Sequence, residues 1–293
     1  MANTTDSWLR EPIRDDLVDM WRLHEVHCTV DTDFQRVLIA NTRLGVTLFC
    51  DDNPQSAENG QLIFHEAELI PAVLLAEHVR SILVIGCSEG TVPLIAAELG
   101  TEHVDHVDID PECVRLCADH LPYGYTPEDL KRAERGEGVV RLHYADGADF
   151  VTEALRRGDR YDVIVLDLPE EDENPAAGHN AMYGQGFFTT YRKLLTPGGV
   201  LSTHVSRSHL SFPTAETAES LRRPWTQLGN TFGTRVFFRS TEHPWAAIML
   251  ATPAELDEPV RLMRERLPEL ARAPRTIDAA ELRGATYPPL ALR

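Results

Sequence analysis

The sequence has little positive charge and no long apolar run. Its 293 residues contain 28 Lys and Arg against 46 Asp and Glu, and only Lys131 and Lys193 are lysines. The formal net charge is −18. Because nucleic-acid phosphates are bound by clustered Lys and Arg, we expect no nucleic-acid partner. No apolar stretch approaches the length that spans a bilayer, so we also expect no membrane partner.

We also expect neither a disulfide framework nor a secretory leader. The five cysteines are odd in number and scattered along the chain. That pattern is typical of reduced thiols in the cytoplasm. The first 16 residues, MANTTDSWLREPIRDD, lack the apolar core of a signal peptide. We therefore expect a cytoplasmic protein.

The chain divides into three parts by pattern. Residues 7–24 are amphipathic and predict a helix, and short runs rich in Val, Ile, Thr and Phe then predict a small β-rich unit that ends near residue 55. A helix is predicted over residues 60–78. The expected divisions are an N-terminal helix with a β-rich domain (1–60), a nucleotide-binding catalytic domain (61–252) and a C-terminal helix with a tail (253–293).

The middle part alternates between strands and helices. Predicted strands cover 82–86, 104–109, 139–144, 161–167 and 199–204, and predicted helices cover 90–99, 111–120, 147–157, 185–195 and 215–228. Two late strands, TRVFFR and AAIMLA, close the sheet with an antiparallel edge. This alternation predicts an α/β fold with a mostly parallel, Rossmann-like sheet and helices on both faces.

Acidic residues follow the predicted strands. The first turn reads GCSEG over residues 86–90, and further acids follow the later strands, at Asp108, Asp110, Asp146 and Asp167. In open α/β sheets, ligands bind beyond the carboxyl ends of the strands. Asp108 is placed to accept hydrogen bonds from ribose hydroxyls. Asp146 with Gly147 is placed to accept a hydrogen bond from an adenine amino group. Asp110 and Asp146 could equally cap helices.

Glu89 in the first turn distinguishes between two nucleotide ligands. A nicotinamide site would need a third glycine near Pro93, and Glu89 would repel its pyrophosphate. An S-adenosyl sulfonium compound has no pyrophosphate and tolerates an acid there. The turn therefore favours an adenosyl sulfonium co-substrate.

Several motifs resemble those of spermidine synthases, the polyamine aminopropyltransferases, over roughly residues 30–250. The family's G-G-G-D-G, E-I-D and D-G motifs are similar to GCSEG, Asp108-Ile109-Asp110 and Asp146-Gly147. Its D-x-x-D-P loop begins at a position that matches Asp167. The stretch CDDNPQSAENGQLIFHE resembles the family's D-G-x-x-Q-x-T-x-x-D-E-x-x-Y-H-E. This stretch and the β-rich unit distinguish the family from ordinary methyltransferases.

The resemblance implies a role for each matched residue. Asp167 would be the catalytic base, with Glu170 assisting, and Glu89 and Asp167 could also hold the amino group of the transferred chain. The implied cofactor-binding residues are Gln35, Gly86, Ser88, Glu89, Gly90, Asp108, Asp146, Gly147 and Asp167. The implied substrate-binding residues are Phe64, His65, Glu170, Tyr183 and His243, and Glu66 is expected beside His65 on the acceptor side. The resemblance also implies a homodimer or larger assembly.

The acceptor side departs from the family pattern. Phe64 replaces the tyrosine before H-E, Glu170 replaces the second aspartate of D-x-x-D-P, and His243 lies where the family has a tyrosine loop. These changes indicate an amine-type acceptor other than plain putrescine. The longer loop with the run Glu170–Glu173 would suit a lid over a cationic acceptor.

Three functions are compatible with these patterns. The first is transfer of a three-carbon chain to an amine or another nucleophile, as aminopropyl from decarboxylated S-adenosylmethionine or as 3-amino-3-carboxypropyl from S-adenosylmethionine, with release of methylthioadenosine. The alternatives are methyl transfer and a non-catalytic nucleotide-binding paralogue. No metal is expected, because Cys113 and Cys117 lie on one helix face, where cysteine packs as a small hydrophobe.

Overall fold

The computed structural model describes residues 7–14, 17–169, 178–204, 215–243 and 247–293. It begins with an antiparallel hairpin of β1 (Ser7–Arg14) and β2 (Leu17–Leu23). The predicted helix over residues 7–24 is therefore wrong. Pro12 lies in the middle of that stretch and disfavours a helix, and the apolar residues alternate as in a strand, with Leu9 and Trp21 buried on one face.

The hairpin covers one face of a second antiparallel sheet. This sheet contains β3 (Glu25–Asp31), β4 (Arg36–Thr42), β5 (Gly45–Cys50) and β6 (Asn53–Ala57), in that order. Leu38 and Phe49 face the hairpin, whereas Ile39 and Leu48 face Cys113 on the opposite side. The apolar strands β4 and β5 are thus covered on both faces within one chain.

The central sheet has seven strands. Its order is β12-β13-β11-β10-β7-β8-β9, in which β13 runs antiparallel to both of its neighbours. The strands are β7 (Ser81–Gly86), β8 (His103–Asp108), β9 (Val140–Tyr144), β10 (Tyr161–Asp167), β11 (Leu195–His204), β12 (Thr234–Arg239) and β13 (Ala247–Thr252). The prediction of a mostly parallel sheet with an antiparallel portion is confirmed.

Helices pack on both faces of this sheet, as predicted. They are α1 (Gln61–Leu75), α2 (Thr91–Glu98), α3 (Pro111–His120), α4 (Pro127–Glu134), α5 (Gly147–Arg157), α6 (Gln185–Leu194), α7 (Ala215–Thr231), α8 (Pro259–Arg266) and α9 (Ala279–Ala285). Helices α1 and α2 contribute to one apolar core, and α5 and α6 contribute to the other. Within the described part of the chain, no helix is long and apolar enough to cross a bilayer.

Candidate active site

The strand order places the site. From β7 the chain continues through β8 and β9 on one side, and β10 and β11 lie on the other. The carboxyl ends of β7, β8 and β10 therefore meet at the point where the order reverses, which is where α/β sheets bind ligands. Glu89, Asp108 and Asp167 all lie at or just beyond these ends.

The turn after β7 is held against β10 by backbone contacts. Gly86 has φ +85°, and a Cβ atom there would lie 1.9 Å from the carbonyl oxygen of Asp167. The amide of Cys87 donates to the same oxygen at 3.1 Å. Cys87 itself has φ +70°, a conformation that favours glycine. The turn thus fixes the backbone of Asp167 against the start of the nucleotide loop.

A buried tyrosine and histidine support this turn from below. Gly90 has φ +74°, and a Cβ there would lie 2.2 Å from the ring of Tyr125. His106 lies between Gly86 and Tyr125. Its Nε2 is 2.7 Å from the carbonyl oxygen of Gly86, and its Nδ1 is 2.9 Å from the Tyr125 hydroxyl. Burial lowers the pKa of His106 to about 4. The neutral ring therefore donates to Gly86 and accepts from Tyr125.

The predicted nucleotide side is brought together around Asp108. Its carboxylate accepts from the Ser88 hydroxyl and from the amide of Asp110, each at 2.8 Å. Burial is the largest influence on its pKa, which rises to about 7. Gln35 lies nearby, and its side-chain amide donates to Asp110 at 3.1 Å. Asp110 also caps α3, as its position before Pro111 allowed.

Asp146 caps α5, the structural reading that the sequence left open. Its Oδ1 accepts from the amides of Ala148 at 2.7 Å and Asp149 at 3.2 Å. The next residue, Gly147, packs tightly, because a Cβ there would lie 2.6 Å from Ile85 and 3.1 Å from Met182. A contact of Asp146 or Gly147 with adenine stays a prediction.

A buried ion pair joins two of the predicted site residues, His65 and Glu89. Nε2 of His65 lies 3.1 Å from Oε1 of Glu89, and Nδ1 lies 3.1 Å from Oε1 of Gln61. Burial alone lowers the pKa of His65, but the hydrogen bond to Glu89 and the charges of Glu89 and Asp167 outweigh it and raise that pKa. The pKa of Glu89 is lowered, because the contact with His65 outweighs burial. The charged pair is therefore favoured.

Two further groups lie beside this pair, and neither was assigned a role from the sequence. Glu68 is fully buried, and among the described residues neither of its carboxyl oxygens has a hydrogen-bond partner. Burial and then the charges of Asp167 and Glu89 raise its pKa. Cys87 is buried, and the same influences raise the pKa of its thiol. The thiol is therefore held in its protonated form.

Aromatic rings surround Phe64 on the expected acceptor side. Its ring centroid lies 5.5 Å from that of His65, 5.4 Å from that of His204 and 6.0 Å from that of His243. Phe64, His65 and His243, which were predicted as substrate-binding residues, therefore lie close together. His204 was missed, although it is the last residue of a predicted strand and so lies at the same edge of the sheet.

Three other predicted site residues are Tyr183, Glu66 and Glu170, and each has a different outcome. The Tyr183 hydroxyl donates to the carbonyl oxygens of Leu168 at 3.2 Å and Pro169 at 3.0 Å, so it supports the backbone after Asp167.

Glu66 faces away from the site, contrary to expectation, and binds Arg272 and the backbone of Arg275 and Thr276. Successive helix residues point about 100° apart, so His65 and Glu66 diverge. Glu170 and the acidic loop lie outside the described residues.

Comparisons with known proteins identify the family of this chain. A family model described as the spermine/spermidine synthase domain matches residues 63–226. A polyamine aminopropyltransferase of Pyrobaculum calidifontis is 28% identical over 202 residues, which cover 68% of this chain and 67% of that protein. Polyamine aminopropyltransferase 2 of Pseudomonas aeruginosa is 31% identical over 214 residues, which cover 71% of this chain and 58% of that protein.

Solved structures show the same fold. A spermidine synthase in complex with the transition state analogue AdoDATO superposes with a TM-score of 0.79 at 15% identity, covering 97% of this chain and 93% of that one. The spermidine synthase of Thermotoga maritima gives a TM-score of 0.77 at 15% identity, covering 97% and 92%.

The Rossmann-like fold, the acid-lined strand ends and these relatives define a transferase. The chain belongs to the spermine/spermidine synthase family.

Proposed function

We propose that this protein transfers an aminopropyl group from decarboxylated S-adenosylmethionine to a cationic amine and releases methylthioadenosine. The observation that carries this proposal is a group of three acids: the buried Glu89 just beyond β7, Asp167 at the end of β10, and the buried Glu68 of α1. Glu89 and Asp167 lie close enough to Glu68 for their charges to raise the pKa of its carboxyl group. Such a site favours a sulfonium and ammonium groups and disfavours phosphates.

The same acids support a decarboxylated donor. The charges that act on the buried carboxyl of Glu68 come from Asp167 and Glu89, which are both acids. A 3-amino-3-carboxypropyl chain would bring an additional carboxylate into these surroundings, and like charges at short range repel strongly in a poorly solvated site. An aminopropyl chain brings only an ammonium, which pairs favourably with Glu89.

The proposed reaction is an in-line displacement. The lone pair of the acceptor nitrogen forms a bond to the carbon beside the sulfonium, and the carbon–sulfur bond breaks with its electrons moving to sulfur, giving the thioether methylthioadenosine. Asp167 accepts the proton that the nitrogen loses. Its backbone is fixed by Gly86 and Cys87, which supports a role in alignment as well as in proton transfer. The protonated thiol of Cys87 argues against a covalent cysteine intermediate.

Asp108, Ser88 and Gln35 form the proposed adenosine side. Asp108 would accept the ribose hydroxyls, since its carboxylate lies at the end of β8. Phe64, His65 and His243, with His204, would line the acceptor side. The proposal includes a homodimer and a cytoplasmic location, and five free cysteines support a reducing compartment.

Product analysis tests the proposal. The purified protein is incubated with either decarboxylated S-adenosylmethionine or S-adenosylmethionine, each with 1,3-diaminopropane, putrescine, cadaverine or spermidine, and the nucleoside products are separated. Methylthioadenosine that forms only with the decarboxylated donor and an amine supports the proposal. Methylthioadenosine from S-adenosylmethionine would mean aminocarboxypropyl transfer, and S-adenosylhomocysteine would mean methyl transfer. Binding of methylthioadenosine without any product would indicate a non-catalytic paralogue. Each of these three results overturns the proposal.

A further inference from the structure

We propose that His65, Cys87 and Asp167 form a binding site for a thiophilic divalent metal ion, best matched by Zn²⁺. One ring nitrogen of His65, Sγ of Cys87 and one carboxylate oxygen of Asp167 all lie within 4.8 Å of one another. Nitrogen, sulfur and oxygen are the ligand atoms that Zn²⁺ prefers. Tetrahedral Zn²⁺ needs these atoms about 3.5 Å apart, so they would move together by about 1 Å.

The backbone of Cys87 is a second observation. Cys87 adopts φ +70°, a left-handed conformation that only glycine adopts without strain. The family motif that this turn resembles has glycine at this position. Backbone strain of this kind is retained mainly at functional sites, where the strained residue contributes to function. At position 87 the side chain provides a thiol whose sulfur lies within 4.8 Å of a histidine nitrogen and an aspartate oxygen.

Glu68 is the third observation. It is fully buried, and no hydrogen-bond partner of either carboxyl oxygen lies in the part of the chain that the structure describes. A buried carboxyl group without a partner is costly and rare in folded proteins. Glu68 lies one helical turn after His65 on α1, and the charge of Asp167 acts on it. A metal ion held by the three residues would place a positive charge near this buried carboxyl group.

Binding involves proton release and no oxidation or reduction. Cys87 ligates as the thiolate and His65 through a deprotonated nitrogen, and both protons pass to the solvent. His65 exchanges one of its hydrogen bonds, to Gln61 or Glu89, for the metal. The site does not depend on the proposed function. A consequence does: because Asp167 is the proposed base, Zn²⁺ would inhibit aminopropyl transfer.

The test uses Co²⁺ as a spectroscopic probe and Zn²⁺ in competition with a chromophoric chelator. The full chain should bind one equivalent of Zn²⁺ with a Kd below about 1 μM. With Co²⁺ it should show thiolate-to-cobalt charge-transfer absorption. Cys87→Gly should lose this absorption and weaken Zn²⁺ binding by about 100-fold or more, whereas Glu68→Gln should weaken it by about tenfold. Circular dichroism checks that each variant is folded, and Cys87→Ser replaces Cys87→Gly if the latter is not.

The matched control is Cys113→Ser, which removes another buried thiol. It should keep the absorption. Loss of the absorption in this variant would move the site to the thiols of Cys50, Cys113 and Cys117 and overturn the proposal, as would absence of the absorption in the unaltered chain or its persistence in Cys87→Gly. A chain that binds Co²⁺ through Cys87 but forms no methylthioadenosine keeps the metal site and refutes the proposed function. A chain that forms methylthioadenosine but shows no absorption keeps the proposed function and refutes the metal site.

Discussion

Gly86 and Asp167 meet through their backbones, with room for no atom at the Cβ position of residue 86: such an atom would lie 1.9 Å from the Asp167 carbonyl oxygen. Gly86→Ala should therefore force β7 and β10 apart at the site. We expect the free energy of unfolding in urea to fall by about 2–4 kcal/mol and methylthioadenosine binding to weaken.

Gly158→Ala is the control, because Gly158 has a similar φ of +86° with nothing within 4 Å of its Cβ position. It should cost only about 1 kcal/mol. Equal losses in the two variants would show that the contact between Gly86 and Asp167 relaxes without consequence.

Asp108 should make stability and ligand binding depend on pH. Its pKa of about 7 in the folded chain lies above the ordinary 3.8, so the folded state holds a proton that the unfolded state releases. This stabilisation is complete below about pH 4 and is lost as the pH rises through 7. Relative to Asp108→Asn, the unaltered chain should lose about 4 kcal/mol of unfolding free energy between pH 4 and pH 8.

Binding of methylthioadenosine should change in the opposite direction. If the Asp108 carboxylate accepts the ribose hydroxyls, affinity measured by calorimetry should rise as the pH passes 7, and Asp108→Ala should weaken it by about tenfold or more. Asp149→Asn, at an exposed acid outside the proposed site, should follow the pH profile of the unaltered chain. Unchanged affinity in a folded Asp108→Ala would remove Asp108 from the nucleotide site.

Asp167→Asn should separate catalysis from binding. The amide keeps the shape of the side chain and removes the proton acceptor, so the transfer rate should fall by about 10²–10⁴-fold, with little change in methylthioadenosine affinity. Raising the pH should restore part of the rate, because more of the amine is then neutral. Asp149→Asn, on the exposed side of α5, should keep full activity. Near-full turnover by Asp167→Asn with every amine would place the base elsewhere.

Glu66 should stabilise the chain without taking part in catalysis. Its fully buried carboxylate accepts from Arg272 at 3.0 Å, from the amides of Arg275 and Thr276, and from the Thr276 hydroxyl at 2.7 Å. Glu66→Ala leaves the largely buried Arg272 without this partner and should cost about 3–5 kcal/mol in urea unfolding.

The control for Glu66 is Glu98→Ala. Glu98 pairs with the same Arg272 at 2.7 Å, but its side chain is 59% exposed. Exposed ion pairs contribute at most about 1 kcal/mol, so this variant should be nearly as stable as the unaltered chain. Comparable losses in the two variants would mean that burial of Glu66 is unimportant.

The outer face of the hairpin is the expected surface for assembly. Trp8 and Met20 are 56% and 55% exposed, and the strand register places them on the same face. We expect light scattering to give a homodimer or larger assembly, and Met20→Glu to give a monomer. Tyr287→Glu, at a residue 67% exposed near the other end of the chain, should leave assembly unchanged. A monomer at micromolar concentration for the unaltered chain would contradict this prediction.

The central sheet could be predicted because its signals are local. The strand Tyr161–Asp167 and the helix Pro111–His120 have the predicted bounds. An apolar run defines the strand, and Asp110 followed by Pro111 defines the start of the helix. The hairpin could not be predicted in the same way. Leu9 and Trp21 are buried against Phe49, a residue distant in sequence, and this packing decides between a strand and a helix.

The candidate site was predictable where a residue is marked by its position at a strand end. Asp108 and Asp167 are of this kind. Glu68 and His204 reach the site only through the fold, the first from within α1 and the second from β11, and no short motif connects them to it. His65 and Glu66 show the opposite error, because residues adjacent in a motif point in different directions on a helix.

The bonds of Glu66 also have a consequence for biosynthesis. Arg272 follows Glu66 by 206 residues. At elongation rates of about 5–20 residues per second, about 10–40 s pass between the synthesis of the two partners. During that interval α1 lacks the group that neutralises its buried carboxylate. Helix α1 therefore reaches its final packing only at the end of translation, after nearly all of the other strands and helices have been made.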